Sequence, residues 1–152
     1  MRLKIETLLD RPRDVVWRAF EDPSNLRRWQ PSLVRIEPRK GSPGQVGSVS
    51  KLFFSGDGPD FSLTETVTGR RAPEELLASY DSSHTHNTVR HRFFDLGDGR
   101  TRWVVEAEFQ FKGFLRLASM ALQGTIEKRL RGDVARFKAR LEAGEMEPSA
   151  RE

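Results

Sequence analysis

Histidine side chains are the most obvious candidates for chemistry in this sequence, and all of them lie in one short segment. His84, His86 and His91 fall within SSHTHNTVRHRFF, residues 82–94. Imidazole groups bind metals, exchange protons near neutral pH and form hydrogen bonds with ligands. Which role applies depends on the direction in which each side chain points, and the strand that carries the histidines determines that direction.

A turn after the histidine segment sets the register of this strand. Residues 97–99, GDG, separate NTVRHRFFDL from TRWVVEAEF, and glycine with aspartate is typical of a hairpin turn. A three-residue loop with Gly99 in the left-handed conformation places Leu96 opposite Arg100. The same register then pairs residues further along the hairpin: Phe93 with Trp103, His91 with Val105, and Val89 with Ala107.

This register gives the hairpin one apolar face and one polar face. The apolar face includes His91, whereas the polar face places Arg90 opposite Glu106 and Thr88 opposite Glu108. A two-residue loop would instead pair His91 with Glu106 and would mix the two faces. Since a slip of one residue exchanges the faces of a strand, we expect the register that keeps them distinct.

The alternation of side chains along the strand separates the three histidines. His84 and His86 share the outer face, whereas His91 points to the inner, apolar face. Three imidazoles in this arrangement cannot converge on one metal ion, and a pair on the outer face would need further ligands. We therefore predict no metal site. Two roles remain open for His91, a hydrogen-bonded core residue or the polar anchor of a ligand pocket.

Two further residues are candidate partners of His91. Glu65 shares its side of the segment FSLTETVTG with Leu63 and Val67, and Tyr80 is the only tyrosine of the chain. The orientation of Tyr80 stays open because ELLASY has no clean alternation. The clearest core-facing row lies in the segment TRWVVEAEFQF and consists of Trp103, Val105, Ala107, Phe109 and Phe111.

Glycine-rich segments in this chain predict turns rather than nucleotide sites. GSPGQVG spaces its glycines as GxxGxxG, but a strand follows it where a dinucleotide fingerprint needs a helix. The sequence contains neither a P-loop nor a GxSxG nucleophile elbow. We therefore predict no cofactor.

Length and composition indicate one domain with an ordinary charged surface. The chain has 152 residues and no cysteine, which excludes disulfides, thiolate zinc sites and a cysteine nucleophile. Its 26 basic and 22 acidic residues are interspersed, with a net charge of +4, so a nucleic-acid partner is not expected. Without a signal-peptide core or a membrane-length apolar segment, we expect a soluble, cytoplasmic protein that does not insert into membranes.

The order of predicted elements begins with a strand at residues 2–9. Two short helices follow, the first with Pro12 at its first position and Val16 and Phe20 on one face, the second capped by Asp22 with Pro23 first. About six short strands separated by tight turns then extend to residue 111, which indicates a meandering antiparallel sheet.

A long amphipathic helix is predicted from about residue 114 to residue 143. Its apolar positions recur every three or four residues and include Leu122 and Ile126. A curved sheet and this helix can bury both apolar faces against each other and leave a cavity between them. We expect residues 1–144 to form the domain and residues 145–152 to form a flexible tail.

The chain resembles the START-like superfamily, also called SRPBCC, and within it the polyketide cyclase/dehydrase and lipid-transport group. The resemblance is carried by PRDVVWRAFEDPSNLRRW, by the GSPGQVGS loop, by the strand with Glu65 and Val67 before Pro73, and by the terminal helix ending RFKARLE. It implies an α+β helix-grip fold, in which a curved antiparallel sheet of about seven strands wraps around the C-terminal helix. Two short helices follow the first strand in this fold.

The resemblance also implies a pocket for a hydrophobic or aromatic small molecule, lipid or polyketide-like, between the sheet and the C-terminal helix. Two alternatives stay open, a polyketide cyclase/dehydratase that uses the same cavity, with His91, Glu65 or Tyr80 moving protons, and a protein-interaction module with a basic surface. The residues expected to line the cavity are Glu65, Val67, Tyr80, His91, Trp103, Val105, Ala107, Phe109, Leu122 and Ile126.

Overall fold

A computed structural model describes residues 1–56 and 58–146 of the chain. Seven strands and three α-helices follow one another in the predicted order, and a 3-10 turn at Pro23–Asn25 precedes the second helix. The elements are β1 (Arg2–Leu9), α1 (Arg13–Glu21), α2 (Leu26–Trp29), β2 (Leu33–Lys40), β3 (Val49–Phe54), β4 (Phe61–Arg71), β5 (Glu75–Asp81), β6 (Thr85–Gly97), β7 (Arg100–Phe111) and α3 (Leu115–Glu142).

The seven strands form one antiparallel sheet in the order β1-β7-β6-β5-β4-β3-β2. Bulges interrupt the pairing of β2 with β3, of β4 with β5 and of β6 with β7. Because bulges bend and twist the strands that carry them, they produce a curved sheet. The α+β helix-grip architecture predicted from the sequence is confirmed.

The short helices begin slightly later than predicted. Pro12 is the residue before α1 rather than its first residue, because its ψ of 153° is extended; its carbonyl accepts the first helical hydrogen bond, from the Val16 amide at 3.0 Å. Asp22 caps the 3-10 turn as predicted, since its Oδ1 accepts a hydrogen bond of 3.0 Å from the Ser24 amide.

The β6–β7 hairpin has the predicted register with a different turn. Phe93 pairs with Trp103 and His91 pairs with Val105, as expected. Gly97 rather than Leu96 faces Arg100, and Leu96 forms a bulge. The turn itself has two residues, both with positive φ, and the bulge restores the pairing that a three-residue loop would have produced.

The core lies between the sheet, α1 and the C-terminal half of α3. An aromatic cluster at its centre consists of Trp17, Phe20, Trp29, Phe93, Trp103 and Phe137. Val134, Phe137 and Leu141 are the buried residues of α3, so its C-terminal half provides the packing. In contrast, the N-terminal half carries the exposed side chains of Leu117 and Met120.

Core packing extends two residues beyond the predicted domain boundary at residue 144. Met146 is fully buried, and its carbonyl accepts a hydrogen bond of 3.0 Å from the side-chain amide of Asn25. The rest of the predicted tail, residues 147–152, lies outside the described residues. Within residues 1–56 and 58–146, no helix combines the length and apolar character that crossing a membrane requires.

Candidate functional site

A cavity of about 430 Å³ lies between the concave face of the sheet and the helices. Strands β2 to β7 form its floor, α1 and α2 cover one side, and Leu130, Asp133 and Val134 of α3 close the top. This volume is within the range of sites that bind small molecules.

Most of the residues predicted to line the cavity do so. The lining includes Glu65, Val67, Tyr80, His91, Trp103, Val105 and Ala107. These residues come from four strands, and their common orientation follows from the alternation of side chains and from the registers of the sheet.

Three predicted residues lie outside the lining. Phe109 is on the inner face but packs against the core cluster beside Phe111. Leu122 and Ile126 are half-buried on α3, whose contribution to the cavity begins one turn later, at Leu130. Helical periodicity identified the correct face of α3, but it does not tell which turns of a 28-residue helix cover the cavity.

His91 lies among aromatic rings at the α1 end of the cavity. Its ring centroid is 4.8 Å from that of Phe20 and 5.8 Å from that of Trp103. The indole nitrogen of Trp103 donates a hydrogen bond of 3.3 Å to Nδ1 of His91. Because an indole N–H can only donate, Nδ1 must accept, and the proton of the neutral imidazole is on Nε2.

Burial lowers the pKa of His91 to about 3. The imidazole is therefore neutral at physiological pH, which makes it a weak base and excludes it as a general acid there. What it offers the cavity is a hydrogen-bond donor, Nε2–H, with a tautomer that Trp103 selects. This chemistry suits recognition of a ligand better than proton transfer.

Glu65 and Tyr80 form a hydrogen-bonded pair on neighbouring strands. They are directly opposite each other in the pairing of β4 with β5, and the Tyr80 hydroxyl donates a hydrogen bond of 2.8 Å to Oε2 of Glu65. Burial raises the pKa of the Glu65 carboxyl, and the hydrogen bond from Tyr80 opposes that shift. Burial and the neighbouring carboxylate together raise the pKa of Tyr80. The two side chains form one polar group, and His91 is not part of it.

Two polar residues of the cavity were missed by sequence analysis. Ser50 and Asn87 are buried, line the cavity and flank the Glu65–Tyr80 pair on β3 and β6. Asn87 shares its strand parity with His91, so the hairpin register already placed it on the inner face. Ser50 was harder to place, because consecutive apolar residues follow it in SKLFF and obscure the alternation.

An ion pair borders the cavity near His91. Arg70 donates a hydrogen bond of 2.8 Å to Oε2 of Glu21, and both residues line the cavity. The guanidinium group also lies 5.6 Å from the ring centroid of Trp17. Charge at this end of the cavity is therefore already paired within the protein.

Arg129 joins α3 to the β3–β4 hairpin at the opposite side. Its guanidinium carbon lies 5.4 Å from the ring centroid of Phe54 and 5.2 Å from that of Phe61, and these two rings stack at 4.8 Å. Burial lowers the pKa of Arg129, whereas the charge of Asp133 raises it. This cation–π contact holds the helix against the β3–β4 hairpin.

The other two histidines lie away from the cavity. His86 is on the outer face, where its Nδ1 is 2.5 Å from Oδ1 of Asp81. His84 is exposed and its ring is 5.9 Å from that of Phe114. Across residues 1–56 and 58–146, no three histidine, cysteine or carboxylate side chains come together as metal ligands.

Solved structures share this fold at low sequence identity. The aromatase/cyclase Zhui from Streptomyces sp. R1128 superimposes with a TM-score of 0.78 at 17% identity, over 93% of each chain. A protein from Thermus thermophilus, TTHA0849, superimposes with a TM-score of 0.75 at 15% identity, over 95% of this chain and 99% of the other.

A di-domain protein is similar over one part of its length. BexL, the di-domain ARO/CYC of the BE-7585A biosynthetic pathway, gives a TM-score of 0.76 at 12% identity. The match covers 93% of this chain and 46% of BexL, so the chain spans about half of that relative. No curated protein matches the chain by sequence.

The fold and its cavity define a START-like, SRPBCC-type domain. A family model matches residues 2–142, and the chain belongs to that family, which is described as Polyketide cyclase / dehydrase and lipid transport.

Proposed function

We propose that the protein binds a hydrophobic or aromatic small molecule, lipid or polyketide-like, in the cavity between the sheet and α3. The observation that carries this proposal is the composition of the lining. Apolar side chains such as those of Trp29, Trp103, Val105 and Ala107 make up most of the lining, and the polar groups are few. Apolar walls with few polar groups are typical of sites that bury most of an organic ligand.

The distribution of polar groups supports an oriented ligand. The pair of Glu65 and Tyr80 lies on one side, and His91 lies four residues from Asn87 along β6, a distance of about 13 Å at 3.3 Å per residue. Val67, Val89 and Ala107 lie between these polar positions. A molecule with an apolar body and polar substituents near its ends matches this arrangement.

Equilibrium dialysis with naphthalene tests the proposal directly. We expect saturable binding at a single site in the unmodified protein, and native mass spectrometry of gently purified protein should show a retained apolar molecule. Ala107→Phe adds a large ring to the lining of the cavity and should weaken naphthalene binding at least tenfold. Thr88→Val changes the opposite face of β6 and should leave the affinity unchanged.

Loss of binding in Ala107→Phe is informative only if that variant folds, which its circular dichroism and thermal transition establish. Absence of both a retained molecule and saturable naphthalene binding in the unmodified protein would contradict the proposal. Equal affinity of the unmodified protein and a folded Ala107→Phe variant would place the site elsewhere.

A second candidate function is catalysis of dehydration in the same cavity, and the Glu65–Tyr80 pair is the observation that favours it. A carboxylate with a raised pKa is a stronger base, and a tyrosine with a raised pKa stays protonated as a donor. Glu65 would take a proton from the α-carbon of a β-hydroxyketone, and the hydroxyl group on the β-carbon would leave as water with the proton of Tyr80. The proton on Glu65 would then return to Tyr80 along the hydrogen bond that joins them. The products are an enone and water.

An aromatic β-hydroxyketone tests this candidate because its dehydration product is a conjugated enone with strong ultraviolet absorbance. We expect Glu65→Gln and Tyr80→Phe each to lower turnover by about 100-fold or more. The control is Thr88→Val on the outer face of β6, which leaves both the pair and the cavity lining unchanged. No turnover by the unmodified protein, or turnover unaffected by both substitutions, would leave the binding function as the sole role of the cavity.

A further inference from the structure

Three large apolar side chains protrude from the N-terminal end of α3. Phe114 is 69% exposed, Leu117 is 93% exposed and Met120 is 86% exposed, the highest values among the large apolar residues that the structure describes. A spacing of three residues places each side chain beside the next on the helix surface. Adjacent apolar side chains exposed in this way are typical of an interaction site.

Neither the core nor the cavity accounts for this apolar patch. The buried residues of α3 begin at Val134, and the helix lines the cavity from Leu130 onwards. Leu117 precedes Leu130 by 13 residues, about 20 Å along the helix at 1.5 Å per residue. The apolar patch therefore belongs to a part of the molecule that the proposed binding function does not use.

The loop between β5 and β6 holds the beginning of this patch in place. The amide of Lys112 donates a hydrogen bond of 2.8 Å to the carbonyl of His84, and the ring of Phe114 lies 5.9 Å from that of His84. Between them, Gly113 turns the chain from β7 into α3 with a φ of 61°. The exposed side chains are thus presented by an ordered helix end.

The charge around the apolar patch is positive. Residues 109–126, FQFKGFLRLASMALQGTI, contain two charged side chains, and both are cations, Lys112 and Arg116. Both are exposed, and neither side chain forms a hydrogen bond or an ion pair with any residue that the structure describes. Within α3, whose residues are all described, the first turn contains no acidic residue. The partial positive charge of a helix N-terminus therefore adds to that of the two cations.

An anionic bilayer fits this combination better than a second copy of the chain. A symmetric dimer through the patch would bring the cations of both copies together, and like charges repel. Stable protein interfaces also bury about 800 Å² on each partner, more than three side chains provide. A fluid bilayer admits protruding apolar side chains without a matching cavity, and anionic headgroups attract nearby lysine and arginine.

We propose that Phe114, Leu117 and Met120, together with Lys112 and Arg116, form a docking surface for an anionic phospholipid bilayer. The apolar side chains enter the headgroup region, and the two cations lie against the anionic groups of the lipids. Docking is peripheral and requires no helix that crosses the bilayer. The inference goes beyond the proposed binding function, because none of these five described residues lines the cavity.

Co-sedimentation with vesicles tests the docking surface. We expect the unmodified protein to bind vesicles of phosphatidylcholine with about 30% phosphatidylserine at least tenfold more tightly than vesicles of phosphatidylcholine alone. Raising the salt concentration from about 0.1 M to about 0.5 M should weaken this binding, because salt screens the attraction between the cations and the lipids. Equal binding to both kinds of vesicle, or no binding to the anionic vesicles, would overturn the inference.

A pair of substitutions removes the cations from the surface. Lys112→Gln combined with Arg116→Gln should weaken binding to the anionic vesicles about 20-fold or more, roughly fivefold for each charge. Arg100→Gln is the control, because Arg100 is exposed at the opposite end of β7. If the double variant binds as tightly as this control, the two cations do not contact the lipids and the inference is wrong.

A second pair removes apolar surface and retains the charges. Leu117→Gln combined with Met120→Gln should weaken binding to the anionic vesicles at least tenfold, because less apolar area leaves water. Leu96→Gln, an exposed apolar position in the β6–β7 hairpin, should leave the binding unchanged. Should the double variant fail to fold by circular dichroism, Leu117→Gln alone must weaken binding at least threefold. Binding equal to that of the control would overturn the inference.

Sedimentation equilibrium and naphthalene binding separate this inference from the alternatives. The unmodified protein should be a monomer without lipid. A dimer that Leu117→Gln and Met120→Gln abolish would make the patch an interface between two copies and would overturn the inference. Naphthalene affinity should be unchanged in the apolar double variant, since its substitutions lie outside the cavity lining. Failure of vesicle binding with intact naphthalene binding would therefore contradict the docking surface alone.

Discussion

The indole nitrogen of Trp103 donates a hydrogen bond of 3.3 Å to Nδ1 of His91 across the β6–β7 hairpin. Trp103 pairs with Phe93, so the bond is diagonal and depends on the register of the two strands. It satisfies a buried indole N–H and leaves Nε2–H of His91 as the donor. A histidine that sequence analysis could place on the inner face thus acquires a defined tautomer only through its neighbour.

Acid should destabilise the protein through His91. The pKa of its imidazole is about 3 in the folded state, below the ordinary value of 6.5, because burial disfavours the cation. Between these two values the unfolded state binds more protons, so the free energy of unfolding falls as pH falls from 6.5 towards 3, by up to about 1.4 kcal/mol per pH unit.

Urea unfolding at several pH values measures this effect. His91→Gln keeps a donor and an acceptor but cannot titrate, so its free energy of unfolding should depend less steeply on pH in the same window. Thr88→Val, on the outer face of the same strand, removes no titratable group and is the control that should retain the slope of the unmodified protein. Identical slopes for the His91 variant and the unmodified protein would show that His91 is not neutralised by burial.

Glu65→Gln should stabilise the protein at neutral pH. The raised pKa of the Glu65 carboxyl means that the folded state holds its proton more tightly than the unfolded state. The contribution of this group to stability is therefore full below the ordinary carboxyl pKa and is lost as pH rises through the folded pKa. Glutamine has no such loss and can still accept the hydrogen bond from Tyr80.

Thermal unfolding at pH 4 and pH 7.5 distinguishes this expectation from a general effect of the substitution. The gain in Tm of Glu65→Gln over the unmodified protein should be larger at pH 7.5. Thr66→Val, next to Glu65 on β4, removes no titratable group and should show no such dependence on pH. A gain that is equal at both pH values would contradict a raised pKa at Glu65.

Arg129→Gln should loosen the contact between α3 and the β3–β4 hairpin. The substitution removes the cation that lies over Phe54 and Phe61, an interaction worth about 1 kcal/mol. Hydrogen exchange followed by mass spectrometry should show faster deuterium uptake in peptides covering residues 49–63. Lys128→Gln removes an exposed neighbouring charge and should leave that uptake unchanged. Equal uptake in both variants would show that Arg129 does not hold α3 against this hairpin.

Asn25→Leu should destabilise the protein by about 2–3 kcal/mol, since several buried hydrogen bonds disappear together. The Asn25 amide donates 3.0 Å hydrogen bonds to the carbonyls of Ala19 and Met146, and its Oδ1 accepts one of 2.6 Å from Arg28. Urea unfolding measures the loss. Ser24→Ala, next to it but exposed, should cost no more than about 1 kcal/mol, and an equally small loss for Asn25→Leu would mean that this network contributes little.

Local patterns in the sequence were sufficient to predict the class of fold and the face of the sheet to which His91 points. Alternation along NTVRHRFFDL and TRWVVEAEF, with the GDG turn between them, predicted the pairing of His91 with Val105. The predicted pairing is correct although the predicted turn is one residue too long, because the bulge at Leu96 compensates for the shorter loop. Side-chain alternation has a strict period of two, so the hydrophobic pattern alone restricts the register.

The candidate site depended on relationships between distant segments. Ser50, Glu65, Tyr80 and Asn87 share one row only because three successive strand pairs have the registers that align them, and a bulge in the pairing of β4 with β5 contributes to that alignment. Leu122 and Ile126 were predicted to line the cavity and do not, since packing against the sheet decides which turns of α3 cover it.

The sequence by itself thus determined the class of fold, the order of its elements and the faces of β6 and β7, because these follow from periodicity and turn chemistry within short segments. The tertiary structure decided the partner of His91, the pairing of Tyr80 with Glu65 and the polar row that ends at Asn87. These arrangements bring together side chains from separate strands. Their geometry therefore depends on how the whole sheet closes around its core.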